Sequence, residues 1–156
     1  MIVASKFGKL VAAMPANSCM PISGNPPLLA ISIKTGAKTN RVITRSKKFS
    51  VNWLDFSDKK IISLLTQSND SPDKLSSLNI PYLEVFNSPV VSRAQAYAIC
   101  EVTSTHDAGD HHLIVGKVVG AMASLDFDEN WKFEEYHPIL YLGSPFRNPY
   151  TRMPRK

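Results

Sequence analysis

The residues best suited to hold a charged ligand follow one short apolar stretch. Residues 28–33, LLAISI, come after two prolines and are predicted to form a buried strand. The polar residues at the end of that strand and after it are Ser32, Lys34, Thr39, Asn40 and Arg41. Thr39 is predicted to cap a helix over residues 40–47, and the first turn of a helix has unpaired N–H groups that attract anions. This order of groups predicts an anion-binding site.

A small polar loop lies before the strand. It contains Asn17, Ser18, Cys19 and Met20. Taken alone, Asn17 and Ser18 are typical of residues that cap a turn. The second cysteine, Cys100, alternates with small apolar residues and is expected in the core. Because the two cysteines form no CxxC pair, neither a disulfide framework nor a thiolate metal site is predicted.

Two adjacent histidines, His111 and His112, follow a Gly-Asp pair at the start of the longest predicted strand, residues 112–121. Neighbouring residues of a strand point to opposite faces, so the two imidazoles are not expected to bind one metal ion or to serve one site. Taken alone, His111 can simply hold the turn by hydrogen bonding to Asp110 or to the backbone.

Composition narrows the class of protein. The chain has 156 residues and a formal net charge of +5, with its basic residues scattered apart from clusters at 45–48 and 152–156. Neither cluster alternates with aromatic residues, so a nucleic-acid partner is not expected, and a modest positive field suits phosphorylated small molecules equally well. No apolar run approaches the ~20 residues that cross a membrane, and no leader segment is recognisable. We therefore expect one cytoplasmic domain over residues 1–156.

Short strands dominate the rest of the pattern. Residues 1–14 are predicted to be extended and residues 15–27 to be mostly loop. Further predicted strands cover residues 49–54, 83–86, 96–102, 112–121 and 139–142. At least six short strands with two short helices indicate a mostly β barrel or sandwich.

The remaining segments are predicted to be helical or irregular. A helix capped by Ser57 or Asp58 is expected to end at Leu65. Residues 73–78 are expected to form one helical turn inside the polar segment 66–80, which is expected to be mobile. Acidic loop residues at 124–135 and a basic tail from residue 146 complete the chain.

Four short motifs occur in a fixed order between residue 14 and about residue 150. They are NS at 17–18 with SGNPPLL at 23–29, TN at 39–40 with FSVN at 49–52, GDHHLIVGKV at 109–118, and PILYLG at 138–143. Each motif is weak alone, but the ordered set is specific. On these motifs the chain resembles the flavin reductase-like, FMN-binding split-barrel family, on the side closer to flavoredoxin.

The resemblance implies a mostly β fold, a six-stranded antiparallel split β-barrel with a few flanking short helices, that works as a homodimer. It implies bound FMN, with NADH or NADPH as the reductant. Electrons would pass to a flavin (FMN or FAD) or to another acceptor, such as a partner monooxygenase. The implied activity is that of an NAD(P)H:flavin oxidoreductase. A GxGxxG dinucleotide motif is absent from the chain, and this family does not need one.

The resemblance also assigns roles to residues. The residues implied to line the isoalloxazine are Asn17, Ser18, Cys19 and Met20, since that ring needs hydrogen-bond donors at its edge and an apolar floor. The residues implied to hold the phosphate are Ser32, Lys34, Thr39, Asn40 and Arg41. His111 is implied to position the flavin or the nicotinamide, with a role in proton supply. Cys19 is either a benign small residue or a redox-sensitive thiol beside the flavin.

Two other functions remain open at this point. An FMN-binding electron carrier like flavoredoxin, without its own NAD(P)H site, uses the same loop motifs. A β-barrel module that binds nucleic acid is suggested by the net charge alone and predicts a colourless protein with salt-dependent affinity.

Overall fold

The computed structural model describes residues 1–67, 69–124, 137–141 and 150–152. Its strands are β1 Ile2–Phe7, β2 Leu10–Pro15, β3 Cys19–Gly24, β4 Pro27–Lys34, β5 Lys48–Trp53, β6 Tyr82–Val85, β7 Ser88–Val91, β8 Ala96–Ala108, β9 His111–Ala123, β10 Leu140–Tyr141 and β11 Tyr150–Thr151. Its helices are α1 Lys38–Ser46, α2 Lys59–Leu65 and α3 Lys74–Ser77, with a 3-10 turn at Phe56–Asp58. The predicted loop over 124–135 and the tail from 146 lie largely outside the described residues.

One antiparallel sheet of seven strands dominates the fold, in the order β2-β1-β5-β8-β9-β4-β3. The pairs β6–β7 and β10–β11 form two small sheets of their own. β8 and β9 have 13 residues each and are joined by a tight turn. Gly109 in that turn has a φ of +68°, a conformation that glycine adopts without steric cost. This long hairpin places His111 and His112 at one end of the sheet.

β3 forms where the sequence predicts a loop. The strand pairs with β4 and has a register shift between Pro21 and Ser23. It is the last strand of the sheet, and an edge strand accepts a proline because one side of its backbone has no partner strand. The prediction of mostly loop over residues 15–27 is therefore wrong for β3, because a proline does not exclude an edge strand.

Apolar side chains pack on both faces of β1. Ile2 and Ala4 belong to one core, which also contains side chains of α2 and α3. Val3 points the other way, into a second core built around Phe49 and covered by α1. Cys100 is fully buried in this second core, which confirms its predicted core position. The two cores explain why β1, between β2 and β5, is buried on both faces.

α1 begins earlier than the sequence predicts. Its N-cap is Ala37, which supplies no side-chain hydrogen bond, so the prediction that Thr39 caps the helix is wrong. Thr39 lies inside the first turn and is 3% exposed. Val42 and Ile43 are buried, as their helical spacing predicts. The apolar face of α1 determines how the helix packs on the sheet, and this packing determines which residue is its N-cap.

The segment between β5 and β6 is bound to the sheet. The predicted end of α2 at Leu65 is confirmed, and Asp58, one of the two predicted caps, is its N-cap residue, although its side chain makes no capping hydrogen bond. Asp55 caps the preceding 3-10 turn by accepting a hydrogen bond from the amide of Ser57 at 2.8 Å. The predicted single turn is α3, capped by Asp73. The amide of Val11 in β2 donates to the carbonyl of Pro72 at 2.8 Å, so this segment lies against the edge of the sheet.

Two structural features are absent from the described residues. Within those ranges, no helix is long and apolar enough to span a bilayer. In the same part of the chain, no group of three or more His, Cys, Asp or Glu side chains is placed to hold a metal ion.

Candidate functional site

A cleft of about 170 Å³ lies at the start of α1. Its lining residues are Ala12, Ala13, Met14, Ala37, Lys38, Thr39, Asn69 and Lys74. Ala37 cannot cap the helix with its side chain, so the N–H groups of the first turn depend on other acceptors. Thr39 lines the cleft and is almost fully buried as a residue. The cleft therefore offers unused hydrogen-bonding groups at the positive end of a helix.

Two lysines give this cleft its charge. Lys38 donates from Nζ to the carbonyl of Ser71, and Lys74 donates to the carbonyl of Leu65 at 2.8 Å. The pKa of the Lys74 ammonium lies below its ordinary value because burial removes it from water and because the positive charge of Lys38 is close. None of the lining residues that the structure describes is an Asp or Glu that could balance the pair. An anion in the cleft would supply the missing negative charge.

The polar segment that follows β2 begins beside this cleft. Met14 lines the cleft, and β2 ends at the next residue. Asn17 and Ser18 are then exposed, and the carbonyl of Ser18 accepts a hydrogen bond of 3.4 Å from the amide of Ser32. Met20 is 54% exposed on β3. The predicted ring-binding segment therefore begins three residues after Met14 of the cleft lining, where the chain passes from β2 to β3.

Strand register divides the predicted site residues between two faces. Lys34 of β4 is paired with His111 of β9, and Ile33 is paired with His112. Directly opposed residues share a face, and successive residues alternate. Ser32, Lys34 and His111 therefore lie on one face of this ladder. Ile33 and His112 lie on the other, which confirms the predicted separation of the histidines.

Cys19 belongs to the second, inner face. It packs against the core around Phe49 and is paired with Ile31. Burial raises the pKa of its thiol to about 11, so the sulfur stays protonated at neutral pH. A reactive cysteine requires a thiolate. These observations favour the interpretation of Cys19 as a benign small residue.

Asn40 is also directed inward. It is 2% exposed, and its Nδ2 lies 3.3 Å from the carbonyl of Ile33 and 3.0 Å from Nδ1 of His112. Nε2 of His112 is 3.3 Å from a carboxylate oxygen of Asp107 on β8. Asn40 thus connects the first turn of α1 to two strands, and its assignment as a phosphate ligand stays a prediction.

His111 makes the contact expected of a turn residue. Its Nδ1 lies 2.7 Å from Oδ1 of Asp110, and this hydrogen bond lowers the pKa of the Asp110 carboxyl. The backbone carbonyl of Asp110 also accepts a hydrogen bond from the amide of Thr35 at 3.0 Å. The imidazole remains 40% exposed. It can hold the turn and still present Nε2 to a ligand, so its catalytic assignment stays a prediction.

The sequence prediction missed several lining residues of the cleft. Lys38 directly precedes Thr39, and its position in the first helical turn could have been noticed. Asn69 and Lys74 come from the polar segment, which carries no periodic signal that points to the cleft. Arg41, by contrast, is exposed on α1 and is not among the residues that line the cleft.

Fold and site together define a class: an antiparallel β domain with short flanking helices and a cationic cleft at a helix start, suited to a phosphate-bearing ligand. Residues 1–148 match the flavin reductase like domain. The chain belongs to that family.

Comparison with known proteins agrees with this assignment. An NADH-dependent flavin reductase from a Rhodococcus species is 25% identical over 138 residues, which are 88% of this chain and 70% of that protein. The solved structure of the flavin reductase PheA2 superposes with a TM-score of 0.78 at 27% identity, covering 99% of this chain and 88% of that one. Other curated relatives are longer, and the chain spans 56% of one and 63% of another.

A third comparison concerns the fold alone. The structure of flavoredoxin from Methanosarcina acetivorans superposes with a TM-score of 0.86 at 17% identity, covering 99% of this chain and 84% of that one. The structural neighbours confirm the predicted mostly β split-barrel fold with short helices. In this chain the main sheet contains seven strands.

Proposed function

We propose that this protein is an FMN-binding flavin reductase, an NAD(P)H:flavin oxidoreductase that passes electrons from NADH or NADPH to a flavin or another acceptor. The observation that carries the proposal is the cationic cleft at the uncapped start of α1, whose lining residue Met14 is followed in the chain by the exposed residues Asn17 and Ser18. Membership of the flavin reductase like family supports it, as does the activity for which the Rhodococcus relative is named.

The groups present fit the two ends of FMN. A phosphate monoester carries close to two negative charges at neutral pH and accepts several hydrogen bonds. Lys38, Lys74 and the Thr39 hydroxyl offer charge and donors for it. At the other end, Asn17 and Ser18 would donate to the ring edge, and Met20 would give an apolar surface. Bound FMN supplies a ring system that accepts a hydride and releases electrons to an acceptor.

The remaining roles concern orientation. Ser32 and Lys34 share one strand face with His111, so their side chains can hold the flavin or the nicotinamide from the same side. Asp110 fixes one ring nitrogen of His111 by a hydrogen bond of 2.7 Å, which leaves Nε2 to hydrogen bond to a ligand. On this proposal the protein contributes geometry and electrostatics and brings the nicotinamide into contact with the flavin.

We extend the proposal to assembly and location. β3 is an edge strand that exposes Met20 by 54% and Ile22 by 45%, and a second copy of the chain would cover these side chains beside the flavin segment. A homodimer of single-domain subunits follows. Cys19 and Cys100 are free thiols, which suits the reducing cytoplasm. A monooxygenase or another flavin-dependent acceptor would use the reduced flavin there.

The proposal is tested by binding and turnover together. Purified protein is titrated with FMN while the flavin absorbance is recorded, and NADH and NADPH consumption is then measured with and without added flavin. We expect saturable FMN binding and nucleotide oxidation that depends on flavin. Binding without nucleotide oxidation would favour the electron carrier, and absence of any flavin binding would overturn the proposal. Sedimentation of the same sample tests the dimer.

A further inference from the structure

We propose that Lys38 and Lys74 make this site selective for a flavin with a terminal phosphate monoester, so that FMN is bound in preference to FAD and riboflavin. This inference rests on the proposed flavin-binding function and specifies its substrate class. Lys38 belongs to the first turn of α1, and Lys74 begins α3, so two separate elements bring the charges to one cleft.

The ammonium groups of Lys38 and Lys74 each have N–H donors that remain available to a ligand. Each lysine donates one hydrogen bond to a backbone carbonyl, that of Ser71 for Lys38 and that of Leu65 for Lys74. An ammonium group has three N–H donors, so two remain on each side chain. The cleft adds the hydroxyl of its lining residue Thr39 and the first-turn N–H groups of α1. A tetrahedral phosphate with three terminal oxygens can use this number of donors.

The position of Lys74 is fixed by its neighbours. Asp73 caps α3 by accepting a hydrogen bond from the amide of Ser76 at 2.9 Å, and its second oxygen accepts one from the hydroxyl of Tyr82 at 2.8 Å. The amide of Val11 in β2 holds the preceding carbonyl, that of Pro72, at 2.8 Å. The segment is therefore attached to two strands, and Lys74 reaches the cleft from a held backbone.

The negative charge of the phosphate distinguishes FMN from FAD and riboflavin. Two lysines at the positive end of a helix, with no carboxylate among the described lining residues, match the near-dianionic phosphate of FMN. In FAD the two phosphates are joined by an anhydride bond and each carries a single charge, and the adenosine would have to extend out of a cleft of about 170 Å³. Riboflavin has no phosphate. The pKa of Lys74 is lowered first by burial and then by the positive charge of Lys38, which fits two cations held close together in this cleft.

The test compares three ligands on matched variants. The affinities for FMN, FAD and riboflavin are measured from the quenching of flavin fluorescence in the wild type, Lys38→Met, Lys74→Met and the double variant. Lys60→Met is the control, because Lys60 is an exposed lysine of α2 that does not line the cleft. Lys74→Arg keeps the charge and controls for loss of packing.

We expect the wild type to bind FMN at least about tenfold more tightly than riboflavin, with FAD between them, since a charge-assisted hydrogen bond accounts for a factor of this order. Each Met variant should lose about tenfold in FMN affinity and stay within about twofold for riboflavin, while Lys60→Met and Lys74→Arg keep the preference. Equal losses for FMN and riboflavin would show that the lysines only tether the segment and would overturn the inference. A wild type that binds all three flavins equally would also overturn it but leave the proposed function standing, whereas failure to bind any flavin would remove both.

Discussion

Nδ1 of His112 lies 3.0 Å from Nδ2 of Asn40, and this contact joins the first turn of α1 to the start of β9. The same Asn40 nitrogen lies 3.3 Å from the carbonyl of Ile33 at the end of β4. The other ring nitrogen of His112, Nε2, lies 3.3 Å from a carboxylate oxygen of Asp107. The helix start that forms the cleft is therefore held by the sheet through two side chains.

Replacing His112 should loosen this link. His112→Ala leaves the buried Asn40 amide short of a partner, which costs about 1–3 kcal/mol in the free energy of unfolding. FMN binding should weaken because the first turn of α1 is less well held. His112→Asn places an amide near the position of Nδ1 and should recover most of both losses. Urea unfolding and FMN titration measure the two effects.

The control for this prediction is His106→Ala. His106 is exposed on β8 and hydrogen bonds to Ser104, away from α1. Its removal should change neither quantity. If His112→Ala were as stable and as tightly bound to FMN as the wild type, the link through Asn40 would have no role in the site.

The phosphate assignment of Thr39 and Lys34 has its own test. Thr39→Ala combined with Lys34→Ala should weaken FMN binding by about 2–4 kcal/mol, because charge-assisted hydrogen bonds are lost. Since Thr39 lines the cleft and Lys34 lies exposed on the sheet face, the single variants separate the two contributions. Thr105→Ala on the exposed part of β8 serves as a control. Unchanged FMN affinity in the double variant would remove both residues from the assignment.

Gly116 marks a close approach inside the second core. A Cβ added there would lie 2.7 Å from the Cβ of Cys100 and 2.7 Å from the ring of Phe49. Gly116→Ala should therefore lower the free energy of unfolding by about 1–3 kcal/mol, the usual cost of overpacking. Gly24→Ala is the matched control, because nothing lies within 4 Å of its added Cβ. Denaturant unfolding should separate the two variants, and equal stability would contradict the packing described around Phe49.

Asp73 should make stability depend on pH. Burial raises its pKa, but hydrogen bonds from the amide and hydroxyl of Ser76 and from the Tyr82 hydroxyl outweigh this, so the pKa lies below its usual 3.8. A depressed carboxylate pKa stabilises the folded state above the unfolded pKa and loses this effect as pH falls through the folded pKa. Asp73→Ala should cost about 1 kcal/mol at neutral pH, as an N-cap does.

Thermal or urea unfolding over a pH series checks this prediction. The difference between wild type and Asp73→Ala should be constant from neutral pH down to about pH 5 and shrink below about pH 4. A difference that stays the same at pH 3 would mean that the charged form of Asp73 is not what caps α3.

The sequence predicts elements well where one physical signal acts alone. The alternation around Cys100 and the helical spacing of Val42 and Ile43 both identify buried faces correctly, because burial of apolar area decides those positions. The N-cap of α1 and the edge strand β3 were predicted wrongly. α1 starts at Lys38, and its packing on the sheet sets the position of the first turn. Thr39 therefore lies inside the helix, although its residue type favours the N-cap position.

The local sequence pattern does not predict the site residues whose positions depend on tertiary packing. Lys74 reaches the cleft because Asp73 and Pro72 attach the segment to β6 and β2, and these contacts join residues distant in the sequence. The turn of Asn40 toward His112 is likewise set by the pairing of β4 with β9. Motif order predicted the family, whereas the cationic lining of the cleft required the fold.

The central claim is that this protein holds FMN and lets a nicotinamide nucleotide reduce it. The most direct measurement mixes the FMN-loaded protein with NADH, and separately with NADPH, in the absence of oxygen while the visible flavin band is followed. We expect rapid bleaching with at least one nucleotide, much faster than for free FMN at the same concentrations. Bleaching with dithionite alone, or at the rate of free FMN, would contradict the assignment as a flavin reductase.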